Sequence, residues 1–318
     1  MKPAAAKMIL LHSSSSIHRL QKQGYYRLCV LGFISFLTLA SLAALVTKGA
    51  QHLATGDSAS SSFSPWGHGS DMEKGQKIPQ DIVHALLHYS TSNLTGGMTV
   101  REMRAIADVL VRRCPCNLLV FGLGHESLVW RALNHGGRTV FLDESEYWIA
   151  HIEKRHPGIE AYDVQYTTKV AQKEDLMRAA KEQVGGDCRP VQNLLFSECP
   201  LAINDLPNEL YQVPWDVVLV DGPRGYSPLA PGRMSAIFTA AVLARSTKKG
   251  SHMPTHVFVH DFNRDVERAY SNHFLCPENM VVLPAGAEML AHFTIHGTGD
   301  AAVSGFCRNN DSTTISSS

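Results

Sequence analysis

The sequence has no excess of either charge: 29 Lys and Arg balance 29 Asp and Glu over 318 residues. Nothing in that balance favours a polyanionic partner, so nucleic acid is not an expected ligand. No Asp-x-Asp triplet occurs, which argues against the nucleotide-sugar transferases that hold a metal through one. No second cysteine or histidine pair stands at zinc-site spacing from Cys114-Pro-Cys116, and no internal repeat is visible. No acidic residue precedes Asp57, whereas Lys2, Lys7, Arg19, Lys22 and Arg27 do. No charge interrupts the 19 residues from Leu28 to Val46.

The last two absences belong together. As a helix, Leu28–Val46 would extend about 28 Å, close to the ~30 Å hydrocarbon core of a bilayer. A cleaved signal peptide is the rival, but the leading segment is long and the apolar run exceeds a typical signal-peptide core. With the basic residues ahead of the span, a retained anchor leaves residues 1–27 as a cytosolic tail and sends the rest into a lumen. Residues 47–77 are rich in serine and glycine and read as a flexible stem. The sequons at Asn93 and Asn310 are compatible with a lumenal side. So is the even set Cys114, Cys116, Cys188, Cys199, Cys276 and Cys307, which allows up to three disulfides in 15 full pairings. A folded domain is expected over 78–308. The terminal SGFCRNNDSTTISSS reads as fraying into a polar tail, placed at 309–318.

From Ile78 the pattern becomes periodic. Ile78, Ile82, Leu86 and Leu87, then Met103, Ile106, Ala107 and Leu110, recur at helical spacing. The apolar run at 118–121 and the segments TVFLD (139–143), EAYDV (160–164), WDVVLVD (215–221), THVFVHD (255–261) and MLAHFTI (289–295) read as strands. Helical stretches at 145–156, 169–183, 234–246 and 262–274 separate them. The alternation predicts an α/β fold, a doubly wound, mostly parallel sheet with helices on both faces. Such sheets bind ligands beyond the carboxyl ends of their strands. Asp143, Asp221 and Asp261 each end a strand there. One such Asp is ordinarily a cap or turn residue, but three converge on one rim.

In LLVFGLGHESLVW (118–130), Gly122 and Gly124 permit a sharp turn and a close backbone approach to a ligand. The acidic pair Asp143-Glu144 follows 21 residues after Gly122, a spacing that suits ribose recognition. Dinucleotides and S-adenosylmethionine share that requirement. Ser127 stands where a third glycine would be, and Glu126 beside it disfavours a pyrophosphate. A sulfonium cofactor tolerates that carboxylate better. The alternative is that the glycines serve only to pack the first helix.

The blocks FGLGHESLVWRALNHGGRTVFLDE, VDGPRGYSPLAPGRMSAIFTAAVLAR and VFVHDFNRDVER together resemble the plant glucuronoxylan methyltransferase and irregular-xylem-fifteen-like family. KMILLHSSSSIHRLQKQG, DVQYTTK and CRPVQNLLFS are most similar to its irregular-xylem-fifteen branch. The resemblance implies an S-adenosylmethionine methyltransferase-like fold preceded by one transmembrane helix. It also implies a single-pass type II Golgi protein acting in xylan synthesis for secondary cell walls. Its implied partners are xylan or glucuronoxylan chains and other Golgi xylan-synthesis proteins. The enzymatic alternative is 4-O-methylation of glucuronic acid side chains on xylan. Two departures bear on that chemistry. Val120 stands where many S-adenosylmethionine enzymes carry an acidic residue, and Asp221-Gly222-Pro223 stands where the methyltransferase branch reads Asp-Ala-Pro.

The candidate residues follow. Gly122, Gly124, Asp143 and Glu144 are expected to hold the cofactor. Asp221, His260 and Asp261 are the candidates for proton removal, against the alternative that His260 is a buried histidine satisfied by backbone. Arg224 and Arg233 are candidates for gripping a glucuronate carboxylate, against the alternative of a solvated loop face. No metal site is assigned, and a divalent ion at His260 and Asp261 stays underdetermined.

Overall fold

A computed structural model of the chain describes residues 78–92, 97–246, 253–298 and 305–308. Two helices lead in: α1 (Gln80–Thr91) and α2 (Val100–Arg113). α2 starts where Thr99 and Glu102 form a reciprocal capping box, and it buries Met103, Ile106, Ala107 and Leu110, the stripe its periodicity predicts. Then come β1 (Asn117–Phe121), α3 (Ser127–Leu133), β2 (Arg138–Asp143), α4 (Glu146–Arg155), β3 (Glu160–Asp163) and α5 (Lys173–Glu182). After an irregular stretch follow β4 (Val217–Val220), α6 (Met234–Ser246), β5 (Thr255–His260), α7 (Asp265–Phe274), β6 (Met280–Val281) and β7 (Leu290–Ile295).

The seven strands form one sheet in the order β3-β2-β1-β4-β5-β7-β6. β1 to β5 run parallel, and β7 is antiparallel to both β5 and β6. The apolar runs thus mark their strands to within two residues. The two-residue β6 was not anticipated, because a strand that short carries no alternation to read. Central strands are buried on both faces, as continuous apolar runs require. Along β1, Leu119 and Phe121 point into one core cluster while Leu118 and Val120 point into the other, and β4 alternates likewise.

α6 is buried around its whole circumference from Met234 to Arg245. Arg245 at its end is almost fully enclosed, and burial pulls its pKa down to about 10. Its guanidinium donates to the carbonyls of Ala241 (3.0 Å) and Phe306 (2.9 Å) and lies over the Phe306 ring. The Cys276–Cys307 disulfide fastens the same segment. Residues 305–308 are therefore docked, which corrects the expectation that the chain frays from Ser304 onward.

A second disulfide joins Cys188 to Cys199. The third allowed bond does not form. Cys116 Sγ turns inward to Asn134 Oδ1 (3.3 Å), whereas Cys114 Sγ meets the carbonyl of His135 (3.1 Å). The expected span at 28–46, the stem and both sequons lie outside the described residues. Among those described, no helix is long and apolar enough to cross a membrane.

Thiol labelling tests this arrangement. Burial raises the Cys116 thiol to about 12, and the nearby Asp216 charge adds to it. Without reductant, iodoacetamide is expected to modify Cys114 in the native protein and Cys116 only after denaturation. Cys188, Cys199, Cys276 and Cys307 should label only after reduction, as read by peptide mass spectrometry. Labelling of Cys188 or Cys276 without reductant would contradict the pairing.

Candidate functional site

The chain order reverses direction across the sheet between β1 and β4, and the loops following these two strands meet there. They meet backbone to backbone. Gly122 sits at φ +112°, and a Cβ on Gly222 would stand 2.8 Å from the Gly122 Cα. A Cβ on Gly122 would lie 3.2 Å from Asp221 C and Gly222 N. Gly122 therefore packs against the loop after β4, not against the first helix as the plainer expectation had it. Gly124 is freer, its nearest neighbour being the carboxylate of Glu126 at 3.0 Å. Beside these loops opens a cleft of about 430 Å³, bounded by Gly122 and Gly124, Asp143 and Glu144, and Asp221 and Arg224. Sheet register brings the ends of β2, β4 and β5 to this edge, so Asp143, Asp221 and Asp261 share one rim as expected.

Asp143 fixes the glycine loop. Its two carboxylate oxygens accept the backbone N–H groups of Leu123 and Ser145, each at 3.0 Å. Burial raises its pKa, and those two hydrogen bonds oppose the rise. Each oxygen keeps a second lone pair for a ligand hydroxyl. Glu144 is paired with Arg224 at 2.9 Å. The indole of Trp148, near the start of α4, lines the cleft and donates to the Leu123 carbonyl at 2.7 Å. Trp148 was missed in the sequence, where it looks like any apolar residue of an amphipathic helix.

A charge cluster forms the floor. Arg233 is 5% exposed. Its guanidinium donates to the Asp221 carbonyl (2.9 Å), the His260 carbonyl (2.5 Å) and the Pro223 carbonyl (3.4 Å). It also pairs with Asp221 Oδ1 (3.2 Å) and Asp261 Oδ2 (2.9 Å). Arg264 reaches Asp261 Oδ2 from the other side at 3.0 Å. Asp261 adopts a left-handed backbone, φ 59°, which aims its carboxylate back at the two guanidiniums. Arg233 is therefore no free substrate clamp, because protein acceptors take up its donors. Arg224, its side chain 66% exposed, and Arg264 are the arginines that face solvent beside the cleft.

His260 is buried, as its alternative reading had it, but its partner is a carboxylate and not the backbone. It is 5% exposed and stands behind Asp221, to which its Nδ1 is bonded at 2.8 Å. Its buried Nε2 has no hydrogen-bond partner and faces Glu102 Oε2 at 3.9 Å. Burial lowers its pKa, but the Asp221 hydrogen bond and the charges of Asp221 and Asp261 outweigh this and leave it raised. His260 thus positions Asp221, and Asp221 is the carboxylate presented to the cleft. Ligand-type atoms of Asp221, His260 and Asp261 lie within 4.8 Å of one another, but the Arg233 guanidinium already bridges the two carboxylates. A cation there would have to displace it.

Two further carboxylates escaped the sequence reading. Glu102 accepts the N–H groups of Thr99 (2.8 Å) and Met289 (3.1 Å), and its signal was the capping-box spacing Thr99-x-x-Glu102. Glu267 is buried beneath Gly225, with one oxygen unpartnered and its pKa raised by burial. Nothing in its helical spacing signals that.

A mostly parallel sheet with an open cleft at its reversal point, an acidic end to β2 and a carboxylate held at the end of β4 defines a methyltransferase-like α/β domain. The chain belongs to the IRX15/IRX15L/GXM family, whose profile matches residues 101–293 and so spans every candidate site residue. It is 48% identical over 328 residues to Protein IRREGULAR XYLEM 15 of Arabidopsis thaliana, covering 98% of this chain and 96% of that one. Protein IRX15-LIKE of Arabidopsis thaliana is 48% identical over 306 residues, covering 95% and 93%. Glucuronoxylan 4-O-methyltransferase 1 of Arabidopsis thaliana is 45% identical over 228 residues, covering 72% and 78%.

Two stability measurements check the cluster. Arg233→Met takes one of two guanidiniums from the buried Asp261 carboxylate and the donor from three carbonyls, and is expected to cost about 3–5 kcal/mol in denaturant unfolding, whereas Arg224→Ala should change stability by less than about 1 kcal/mol. For His260, a raised folded pKa means that its contribution is fully present below its ordinary value of 6.5 and fades as pH rises through the folded value. The stability difference between wild type and His260→Gln should therefore shrink between about pH 5 and about pH 8. A difference that grew would reverse the assignment.

Proposed function

We propose that this chain acts in glucuronoxylan biosynthesis for plant secondary cell walls. In this reading it is a type II Golgi protein, anchored through residues 28–46, whose lumenal domain holds S-adenosylmethionine in the cleft. The observation that carries the reading is the open cleft itself, framed by the glycine turn and by Asp143 with spare lone pairs. The full-length similarity to the irregular-xylem relatives supports the wall-building role. Similarity to a glucuronoxylan 4-O-methyltransferase supports the cofactor and the acceptor class.

The residues suit the cofactor. Asp143 would accept the ribose hydroxyls, Trp148 offers a flat apolar face, and the nearby carboxylates complement a sulfonium and an ammonium. When bound, S-adenosylmethionine supplies an electrophilic methyl group. The chain's own task is to hold a sugar hydroxyl in line and remove its proton. Asp221 is placed for that removal. Arg233 fixes one of its oxygens through its own fixed guanidinium, and His260 holds the same oxygen from behind, leaving the other toward the cleft. Arg224 and Arg264 offer cationic donors to an acidic sugar.

A second reading keeps the cleft but not turnover, the domain then serving as a partner within the xylan-making machinery. Val120 favours it, being a buried apolar residue where an acidic one is common in enzymes of this cofactor. Calorimetric titration of the purified full-length chain with S-adenosylmethionine decides whether the cofactor binds. Saturable binding, weakened about tenfold or more by Asp143→Ala, is expected. With glucuronoxylan as acceptor, Asp221→Asn should lower methyl transfer by about 10²–10⁴-fold while leaving cofactor binding intact. Binding without transfer in wild type would select the second reading, and no binding at all would remove the enzymatic one.

A further inference from the structure

A polar groove lies away from the cleft. It measures about 680 Å³ and is walled by the irregular stretch between α5 and β4 and by the end of α6. Four carboxamides line it: Gln192, Asn193, Asn208 and Gln212, joined by Arg189 and Tyr211. Among the described residues, no lysine and no carboxylate lines it. The arginine is turned to its own loop, donating to the carbonyls of Val191 (3.2 Å) and Gly186 (3.4 Å). The Tyr211 hydroxyl is occupied by Ile203 and Leu206. Among the described residues, ionic ligands therefore find little to bind. What remains are the exposed amides of Asn208 and Gln212, which carry no side-chain hydrogen bond among the described residues, and the free halves of Gln192 and Asn193.

The walls are rigid. The Cys188–Cys199 disulfide closes the loop. Gln192 Nε2 donates to the Arg189 carbonyl at 2.7 Å, and Ser246 Oγ donates to the Gln192 carbonyl at 3.3 Å. One residue past the groove-lining Leu195, Phe196 ends a 3-10 turn with 78% of its surface exposed. A carboxamide both donates and accepts, so it matches neighbouring hydroxyls, and an exposed ring can cover the apolar face of a sugar.

We propose that this groove binds the neutral sugar backbone of the polysaccharide acceptor, a site separate from the cleft. This rests on the acceptor class proposed above. α6 runs from Met234, next to Arg233 at the cleft floor, to Ser246 at the groove, and its 13 residues span about 20 Å. Only an extended polymer reaches both. Holding it at the groove raises the local concentration of its side chains at the cleft.

Calorimetric titration of the full-length chain with xylohexaose tests the site. Wild type and Asp221→Asn are expected to bind alike, whereas the Asn208→Ala/Gln212→Ala double variant should bind about tenfold or more weakly. Phe196→Ala should also weaken binding, and it carries the test if the double variant fails to fold. Undiminished S-adenosylmethionine binding by either variant, where wild type binds it, shows that the fold persists. Absence of xylohexaose binding in wild type, equal binding by the groove variants, or loss on Asp221→Asn instead would overturn the proposal. Xylohexaose binding without S-adenosylmethionine binding would leave the groove standing and remove only the cofactor reading.

Discussion

The site depends on one buried guanidinium. Arg233 enters between the ends of β4 and β5 from the first residue ahead of α6, and it binds main-chain or side-chain oxygens of Asp221, Pro223, His260 and Asp261. Two carboxylates this close would repel in a dry environment, and the interposed cation converts that repulsion into a fixed geometry. A planar fork of donors does this where a lysine could not, because several acceptors must be met at set angles. Isolated buried ion pairs add little net stability. The product here is a preorganised rim.

Around that floor, the walls divide into a fixed side and an adaptable side. The fixed side is backbone: Gly122 against Gly222, with Asp143 and Trp148 clamping the loop through Leu123. The adaptable side is the stretch 224–229, where Arg224, Tyr226 and Leu229 are exposed.

Much of this was legible in the sequence. Buried parallel strands must be continuous apolar runs, so β1 to β5 announced themselves, and their terminal acids had to share an edge once the strands were parallel. The glycine turn was legible for the same reason. What the sequence did not disclose were properties created by long-range packing. Arg233 looks like any loop arginine until α6 is seen to be enclosed. His260 looks like a base until its ring is found behind Asp221. Disulfide pairing was open because spacing alone cannot choose among partners. The groove was invisible because the segment between Gly185 and Pro214 has no periodic pattern, its shape being set by a disulfide and by turns.

The contact between Gly122 and Gly222 has an evolutionary corollary. Two strands that touch through bare main chain at their tips leave no room for a side chain, so the spacing of the cleft there is set by the peptide skeleton. Mutational drift can then recolour the exposed lip at 224–229 without widening or narrowing the gap beneath it. A lineage built on this scaffold is free to change what the lip meets, while the hollow itself endures.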